Sequence, residues 1–334
     1  MLKKTVPIII VILVISLLIG CGGTVSESEN SALLPQKADT VGLLELGRIL
    51  TDRDIIDLYD KLPKEAGDPE TFDEAMDQAT EESGIDPRSF KDILFFADTS
   101  AGTGDSSYFG AIVTGTFDKD GIISAIEGAG EISLNTTEYK GYDIYGDIEQ
   151  TSALAFLNDN TLVVGSLEAV MDVIDVEVGD EPALSGEVAD TYASFGNILI
   201  KMASNISSDM VEDAVNQITE LLPVPIDLSS LVNIDTAELT VDKENQSLNL
   251  DLVLCFTDNA SAKGVKGLVT LAKAMINMFE VPEQGPGGFP IPEGSQTVLS
   301  GLLSKLEVEV IDECLTISLN MTFDEIEDLL SEQG

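Results

Sequence analysis

The feature of this chain that most restricts its fold is an order of apolar stretches that occurs twice. Residues 152–175 read SALAFLNDNTLVVGSLEAVMDVID, and residues 304–330 read SKLEVEVIDECLTISLNMTFDEIEDLL. Each segment has two apolar stretches on either side of an acidic or polar turn, which predicts two strands joined as a hairpin. Each then continues with helical spacing of its apolar residues. A strand–turn–strand–helix order is therefore predicted twice.

A second pair of segments repeats another order. Residues 108–126 (YFGAIVTGTFDKDGIISAI) and 248–268 (LNLDLVLCFTDNASAKGVKGL) each predict a strand, a polar link and a helix. Together the pairs favour an α+β fold of two similar units, 35–180 and 190–332. Each unit is expected to be an antiparallel sheet with helices packed mainly on one face. The alternative is that an α+β protein shows this order by chance.

The composition supports a folded but strongly acidic body. Hydrophobic residues make up 44% of the 334 residues, too many for a disordered chain. The chain has 17 basic and 60 acidic residues and a net charge of −43. Nucleic-acid phosphates and anionic lipid head groups would repel such a surface. We therefore expect no nucleic-acid partner, and we attribute the charge to a solvated surface rather than to salt adaptation.

The absence of histidine from the sequence excludes several enzyme classes. Without histidine the chain cannot form a Ser-His-Asp or Cys-His nucleophile or a histidine-liganded zinc site. It also has no P-loop and no complete G-x-G-x-x-G motif. We expect no cofactor and no enzymatic activity, although a hydrolase that uses carboxylates stays an open alternative.

The N-terminal residues have the composition of an export signal. Lys3 and Lys4 precede an apolar run of about 15 residues, which is shorter than the roughly 20 residues of a spanning helix. The run ends in Leu18-Ile19-Gly20-Cys21, a sequence that resembles the lipobox of bacterial lipoproteins. The alternative is an ordinary signal peptide or an uncleaved anchor that happens to contain a cysteine.

The resemblance to the lipobox implies a lipid-anchored protein. It implies that residues 1–20 are a signal peptide, that cleavage falls between Gly20 and Cys21, and that lipid is attached to the Cys21 thiol. Gly22 to Asn30 are small, polar and acidic, and residues 21–34 are expected to form a flexible tether. The body would then face outward from the cell membrane or an outer membrane. The body resembles uncharacterised repeat-containing envelope lipoproteins, and this resemblance implies no particular activity.

The two other cysteines, Cys255 and Cys314, are candidates for a disulfide. An even pair of cysteines in an oxidising compartment often forms one. The bond would close a loop of about 60 residues and contribute about 3–4 kcal/mol. Two separate thiols, with Cys255 as a buried apolar residue, are the alternative.

Residues 116–127 resemble part of a calcium-binding loop. Asp118, Asp120 and Glu127 stand at the third, fifth and twelfth positions of an EF-hand pattern. Thr116 stands where the first acidic ligand should be, and the preceding residues predict a strand rather than a helix. We therefore favour a structural role, in which Asp118 or Asp120 caps a helix.

Three functional hypotheses follow from the sequence. The first is a non-enzymatic envelope lipoprotein that binds or positions another envelope protein. The second is a carrier that encloses a small apolar or lipid ligand between sheet and helices. The third is the carboxylate-based hydrolase. The oligomeric state does not follow from the sequence.

Overall fold

The computed structural model describes residues 29–62, 64, 67–99, 108–130, 134–146, 151–221, 227–276 and 301–331. The predicted cleavage and lipid-attachment residues, Gly20 and Cys21, lie outside these residues. The contacts divide the chain into two compact units. The first unit contains Gly23–Asp60 and Lys64–Ala203, and the second contains Lys61–Pro63 and Ser204–Gly334.

The first unit combines an antiparallel sheet with several helices. Its strands are β1 (Thr40–Leu44), β2 (Phe90–Asp98), β3 (Tyr108–Gly115), β4 (Asn135–Tyr139), β5 (Tyr142–Gly146), β6 (Ala153–Asn158), β7 (Thr161–Gly165) and β8 (Ile200–Asn205), and the last two residues of β8 belong to the second unit. Its helices are α1 (Leu46–Ile49), α2 (Arg53–Lys61), α3 (Phe72–Ser83), α4 (Lys119–Gly130), α5 (Leu167–Glu177) and α6 (Glu187–Ser194).

Helix ends in the first unit follow from local capping chemistry. Thr71 and Glu74 form a reciprocal capping box at the start of α3, and Gly84 ends this helix in the left-handed region at φ 76°. The Ser166 hydroxyl accepts the Ala169 N–H and so caps α5 directly after β7. This cap at Ser166 fixes the point at which the chain leaves the sheet.

The first unit has a main core on one face of its sheet and a smaller one on the other. Helices α5 and α6 contribute buried residues such as Val170 and Val188 to the main core, together with Phe96 of β2 and Ile112 of β3. The opposite face has a smaller core, to which Ile122 of α4 contributes. The helices thus cover mainly one face, as predicted.

Two boundaries of the first unit differ from those predicted from the sequence. Glu29–Leu33 form a 3-10 helix, and Leu34 is only 2% exposed within the main core. The part of residues 21–34 that the structure describes is therefore packed rather than a free tether. Helix α6 also belongs to the first unit because Val188 and Tyr192 pack into its core. The boundary between the units consequently lies at Ser204, beyond the predicted 180–190.

The second unit repeats the element order of the first. Its elements are α7 (Ser208–Leu221), β9 (Ile234–Glu244), β10 (Ser247–Phe256), α8 (Asn259–Ile276), β11 (Glu307–Ile311), β12 (Cys314–Thr322) and α9 (Phe323–Ser331), with a 3-10 helix at Ser229–Asn233. The strand order here is β9-β10-β12-β11, whereas in the first unit it is β8-β1-β2-β3-β7-β6-β5-β4. Helix α8 follows β10 as α4 follows β3, and α9 follows β12 as α5 follows β7.

This correspondence confirms the predicted α+β repeat. The segment β2-β3-β7-β6 has the same antiparallel order as β9-β10-β12-β11. The first unit differs by the hairpin β4–β5, which is inserted between α4 and β6 and extends the sheet beyond β6.

The two faces of the second unit's sheet differ in polarity. Leu254 and Leu315 are cross-strand partners and pack with Val265 of α8 in an apolar core. The alternate residues of β10 and β12 lie on the other face, where Asp251 pairs with Ser318. Among the helices that the structure describes, none combines the length and apolar character needed to cross a membrane.

Candidate functional site

A cleft lies beside the last strand of the first unit's sheet. It has a volume of about 110 Å³ and is bounded by the hairpin β4–β5 and by helix α5. Ile144 forms an apolar floor, and Leu167 and Met171 of α5 form an apolar wall. Small or polar side chains, among them Asn135 and Thr137 of β4, line the opposite side. The cleft therefore offers an apolar interior with a polar rim, which is the usual composition of a binding site.

The turn of the hairpin is held against the C-terminal end of α5. The Tyr139 hydroxyl donates to Asp175 Oδ2 over 3.1 Å. Lys140 Nζ lies 2.8 Å from Asp175 Oδ1 and 2.6 Å from Asp180 Oδ2. Lys140 and Gly141 have φ values of 51° and 90°, as a tight two-residue hairpin turn requires. These contacts fix β4 beside α5 and so set the width of the cleft.

The same contacts shift the ionisation of the groups that make them. The hydrogen bond to Asp175 raises the pKa of the Tyr139 hydroxyl, and the hydrogen bonds to Asp175 and Asp180 raise the pKa of the Lys140 ammonium. Tyr139 therefore remains a neutral donor and Lys140 a cation across the physiological range. Burial raises the pKa of Asp172, which lies on α5 and accepts a hydrogen bond from the hydroxyl of Tyr108 in β3.

A second group of polar side chains is buried away from the cleft. Glu45 and Lys201 are 7% and 6% exposed. Burial raises the pKa of Glu45, and the ion pair with Arg48 opposes that shift. Lys201 Nζ lies 4.3 Å from the ring centroid of Tyr192 and 3.5 Å from the Phe195 carbonyl oxygen. Glu45 thus contacts Arg48, while Lys201 contacts Tyr192 and Phe195, and their burial denies a substrate direct access.

Cys255 and Cys314 are joined by a disulfide in the structure. They are cross-strand partners in the β10–β12 pair, with Cα atoms 4.0 Å apart and an S–S distance of 2.04 Å. Their side chains alternate with those of Leu254 and Leu315, so the bond lies on the polar face of the second unit's sheet. It links the two central strands rather than forming part of the cleft.

The structure separates the three candidate calcium ligands. Asp118 caps α4 because its Oδ1 accepts the Gly121 N–H over 3.2 Å, while Glu127 Oε1 accepts the Leu134 N–H over 3.4 Å. Asp120 lies in the first turn of α4. No group of three acidic or cysteine side chains in the described residues is arranged to hold a metal ion. The described geometry of Asp118 is that of the helix cap favoured by the sequence.

Sequence reasoning did not predict strand β4, which forms one wall of the cleft. Its sequence, Asn-Thr-Thr-Glu-Tyr, is polar and lacks apolar alternation. The available signal was the dipeptide Lys140-Gly141, because a glycine in a two-residue connection favours a hairpin turn. The threonines also favour a strand. The residues of α5 that face the cleft, Leu167 and Met171, were predicted only as part of a helix.

Comparison with known proteins finds a structural similarity but does not assign the chain to a family. No protein-family model matches it, and no curated protein matches it. Its fold is similar to solved structures of TP0453 in crystal forms I, III and IV, with TM-scores of 0.44, 0.45 and 0.45 and sequence identities of 10%, 12% and 11%. The similarity covers 90–92% of this chain and 95–99% of TP0453. Function must therefore be argued from the residues of this chain.

Proposed function

We propose that this chain is an extracytoplasmic lipoprotein, held in a membrane by lipid on Cys21, whose body binds another component of the cell envelope. The observation that carries the proposal is the sequence Leu18-Ile19-Gly20-Cys21 directly after the apolar run. On this account the body is a binding module without enzymatic activity.

Charge explains why such a body needs a covalent anchor. Loss of residues 1–20 removes Lys3 and Lys4 and leaves 15 basic and 60 acidic residues, a net charge of −45. An anionic membrane surface would repel this body. A single acyl chain binds membranes only marginally, whereas two chains anchor a protein stably. The diacylglyceryl group attached by the lipobox pathway would therefore supply the attraction that the body lacks.

The cleft beside α5 supports a binding role for the body. Its lining is mostly apolar, with Ile144, Leu167 and Met171 facing polar side chains of β4. Its volume of about 110 Å³ is well below the roughly 300–1,000 Å³ of sites that enclose whole small molecules. It suits one side chain of a partner better than a complete lipid. The size of this cleft thus suits contact with a partner better than enclosure of a whole ligand.

Metabolic labelling tests the anchor. Cells that express the full chain are grown with an alkyne analogue of palmitate, and the purified protein is coupled to a fluorophore. We expect labelling of the wild type and loss of the label to background in Cys21→Ser, because the thiol accepts the lipid. The double variant Cys255→Ala/Cys314→Ala is the matched control and should keep the label. An unlabelled wild type, or a labelled Cys21→Ser variant, would contradict the proposal.

A further inference from the structure

We infer that the outer edge of β4 and the cleft beside α5 form a docking groove for an extended, basic-apolar peptide segment of a partner protein, which would add a strand to the first unit's sheet. The inference rests on the proposed binding function and names the kind of partner. Strand addition to an exposed sheet edge obtains its affinity from backbone hydrogen bonds and its specificity from pockets for alternate side chains. The edge of β4 offers the backbone hydrogen-bonding groups, and the cleft offers a pocket for side chains.

Hairpin geometry identifies the backbone groups that are available on β4. Tyr139 and Tyr142 flank a two-residue turn and therefore form a hydrogen-bonded pair. Hydrogen-bonded pairs alternate along an antiparallel ladder, so Thr137 and Asn135 also bond to β5. The N–H and C=O groups of Thr136 and Glu138 consequently point away from β5. Among the described strands β4 has one neighbour, so these groups face the position of an added strand.

The side chains of β4 explain how an added strand would use the cleft. Asn135 and Thr137 line the cleft and are exposed, and neither is bulky enough to close it. A long side chain on the neighbouring strand can reach across such residues towards diagonal positions. A leucine or methionine of the incoming strand would then contact Met171 and Leu167 of α5. Every second residue of the partner should therefore be apolar.

Charge on the other face of the hairpin predicts the remaining residues of the partner. Glu138 of β4 lies directly opposite Asp143 of β5, and both are exposed. Neither carboxylate forms an ion pair with a described residue, and like charges in directly opposite positions destabilise a strand pair. A lysine or arginine beside Glu138 on the incoming strand would offset this repulsion. The partner segment should thus alternate apolar with basic residues.

The probe for this inference is a synthetic eight-residue peptide that alternates leucine or valine with lysine. We expect it to bind the folded body and to perturb the amide NMR signals of Thr136, Glu138 and the facing residues of α5. A version with the same side chains but with alternate amides N-methylated cannot donate along one edge. Its affinity should be weaker by about tenfold or more, as expected when one or two hydrogen bonds are lost.

A pair of variants tests the edge itself. Thr136→Pro removes the outward N–H without touching the bonds to β5, and proline is tolerated on edge strands. It should weaken peptide binding by about tenfold. Thr136→Ala removes the side chain but keeps the N–H, and should bind within about twofold of the wild type. Unchanged amide signals of β5 would show that both variants keep the hairpin.

Three results would overturn the inference. The first is no binding of the peptide at millimolar concentration, and the second is equal binding of the N-methylated peptide. The third is a concentration-dependent dimer of the free body that Thr136→Pro abolishes, which would assign the edge of β4 to a second copy. Palmitate labelling at Cys21 is independent of all three results. Peptide binding can therefore be absent while lipid is attached to Cys21, and peptide binding can be present while Cys21 carries no lipid. The two proposals are thus tested separately.

Discussion

Removal of the Cys255–Cys314 disulfide is expected to lower the stability of the second unit by about 3–4 kcal/mol. The two cysteines are 59 residues apart in the sequence, and cross-linking so long a segment restricts the unfolded chain. The double variant Cys255→Ala/Cys314→Ala leaves no free thiol from this pair. We expect its melting temperature, followed by circular dichroism, to fall by about 10 °C.

Reduction provides the control for this prediction. A reductant such as a trialkylphosphine should lower the melting temperature of the wild type by a similar amount. It should leave Cys255→Ala/Cys314→Ala unchanged, because that variant has no disulfide to reduce. A double variant as stable as the oxidised wild type would contradict the stabilising role of the bond.

Replacement of Gly165 by alanine is expected to destabilise the first unit by about 3 kcal/mol. Gly165 ends β7 and is the cross-strand partner of Gly110 in β3. A Cβ atom added there would lie 2.3 Å from the carbonyl oxygen of Phe109 and 2.6 Å from Gly110 Cα. Both obstacles are backbone atoms of a central strand, so no side-chain rotation can relieve the clash.

Gly128→Ala is the matched control for Gly165→Ala. Gly128 lies inside α4, and nothing lies within 4 Å of a Cβ atom added there. Alanine at an unobstructed helical position should stabilise the unit by about 0.5–1 kcal/mol. In urea-unfolding experiments, Gly165→Ala is therefore expected to lower the free energy of unfolding, and Gly128→Ala is expected to raise it. An equal change in the free energy of unfolding in the two variants would contradict the close approach of β7 and β3.

The repeated fold was predictable because its strands and helices have strong local signals. The strands β10 and β12 alternate apolar and polar residues, since the sheet of the second unit has one apolar and one polar face. The cap at Ser166 and the glycine at Gly84 mark helix ends by chemistry that acts within a few residues. Such signals can be recognised in the sequence without knowledge of the tertiary structure.

The candidate site was less predictable because tertiary packing creates it. Strand β4 is polar along its length and is a strand because it pairs with β5, whereas its own sequence gives little sign of this. The cleft exists because contacts of Tyr139 and Lys140 with Asp175 hold the hairpin beside α5. These residues are separated by more than thirty positions in the sequence. The packing of Leu34 into the core is likewise an effect of tertiary structure, because its partners there lie far away in the sequence.

Mass spectrometry of the N-terminal peptide of the mature protein tests the central claim most directly. The claim is that this acidic body is anchored by lipid on Cys21. We predict that the peptide begins at Cys21 and carries the mass of a diacylglyceryl group on its sulfur, with or without a further acyl group on its amino nitrogen. A mature protein that retains residues 1–20, or one that carries an unmodified Cys21 thiol, would contradict the claim.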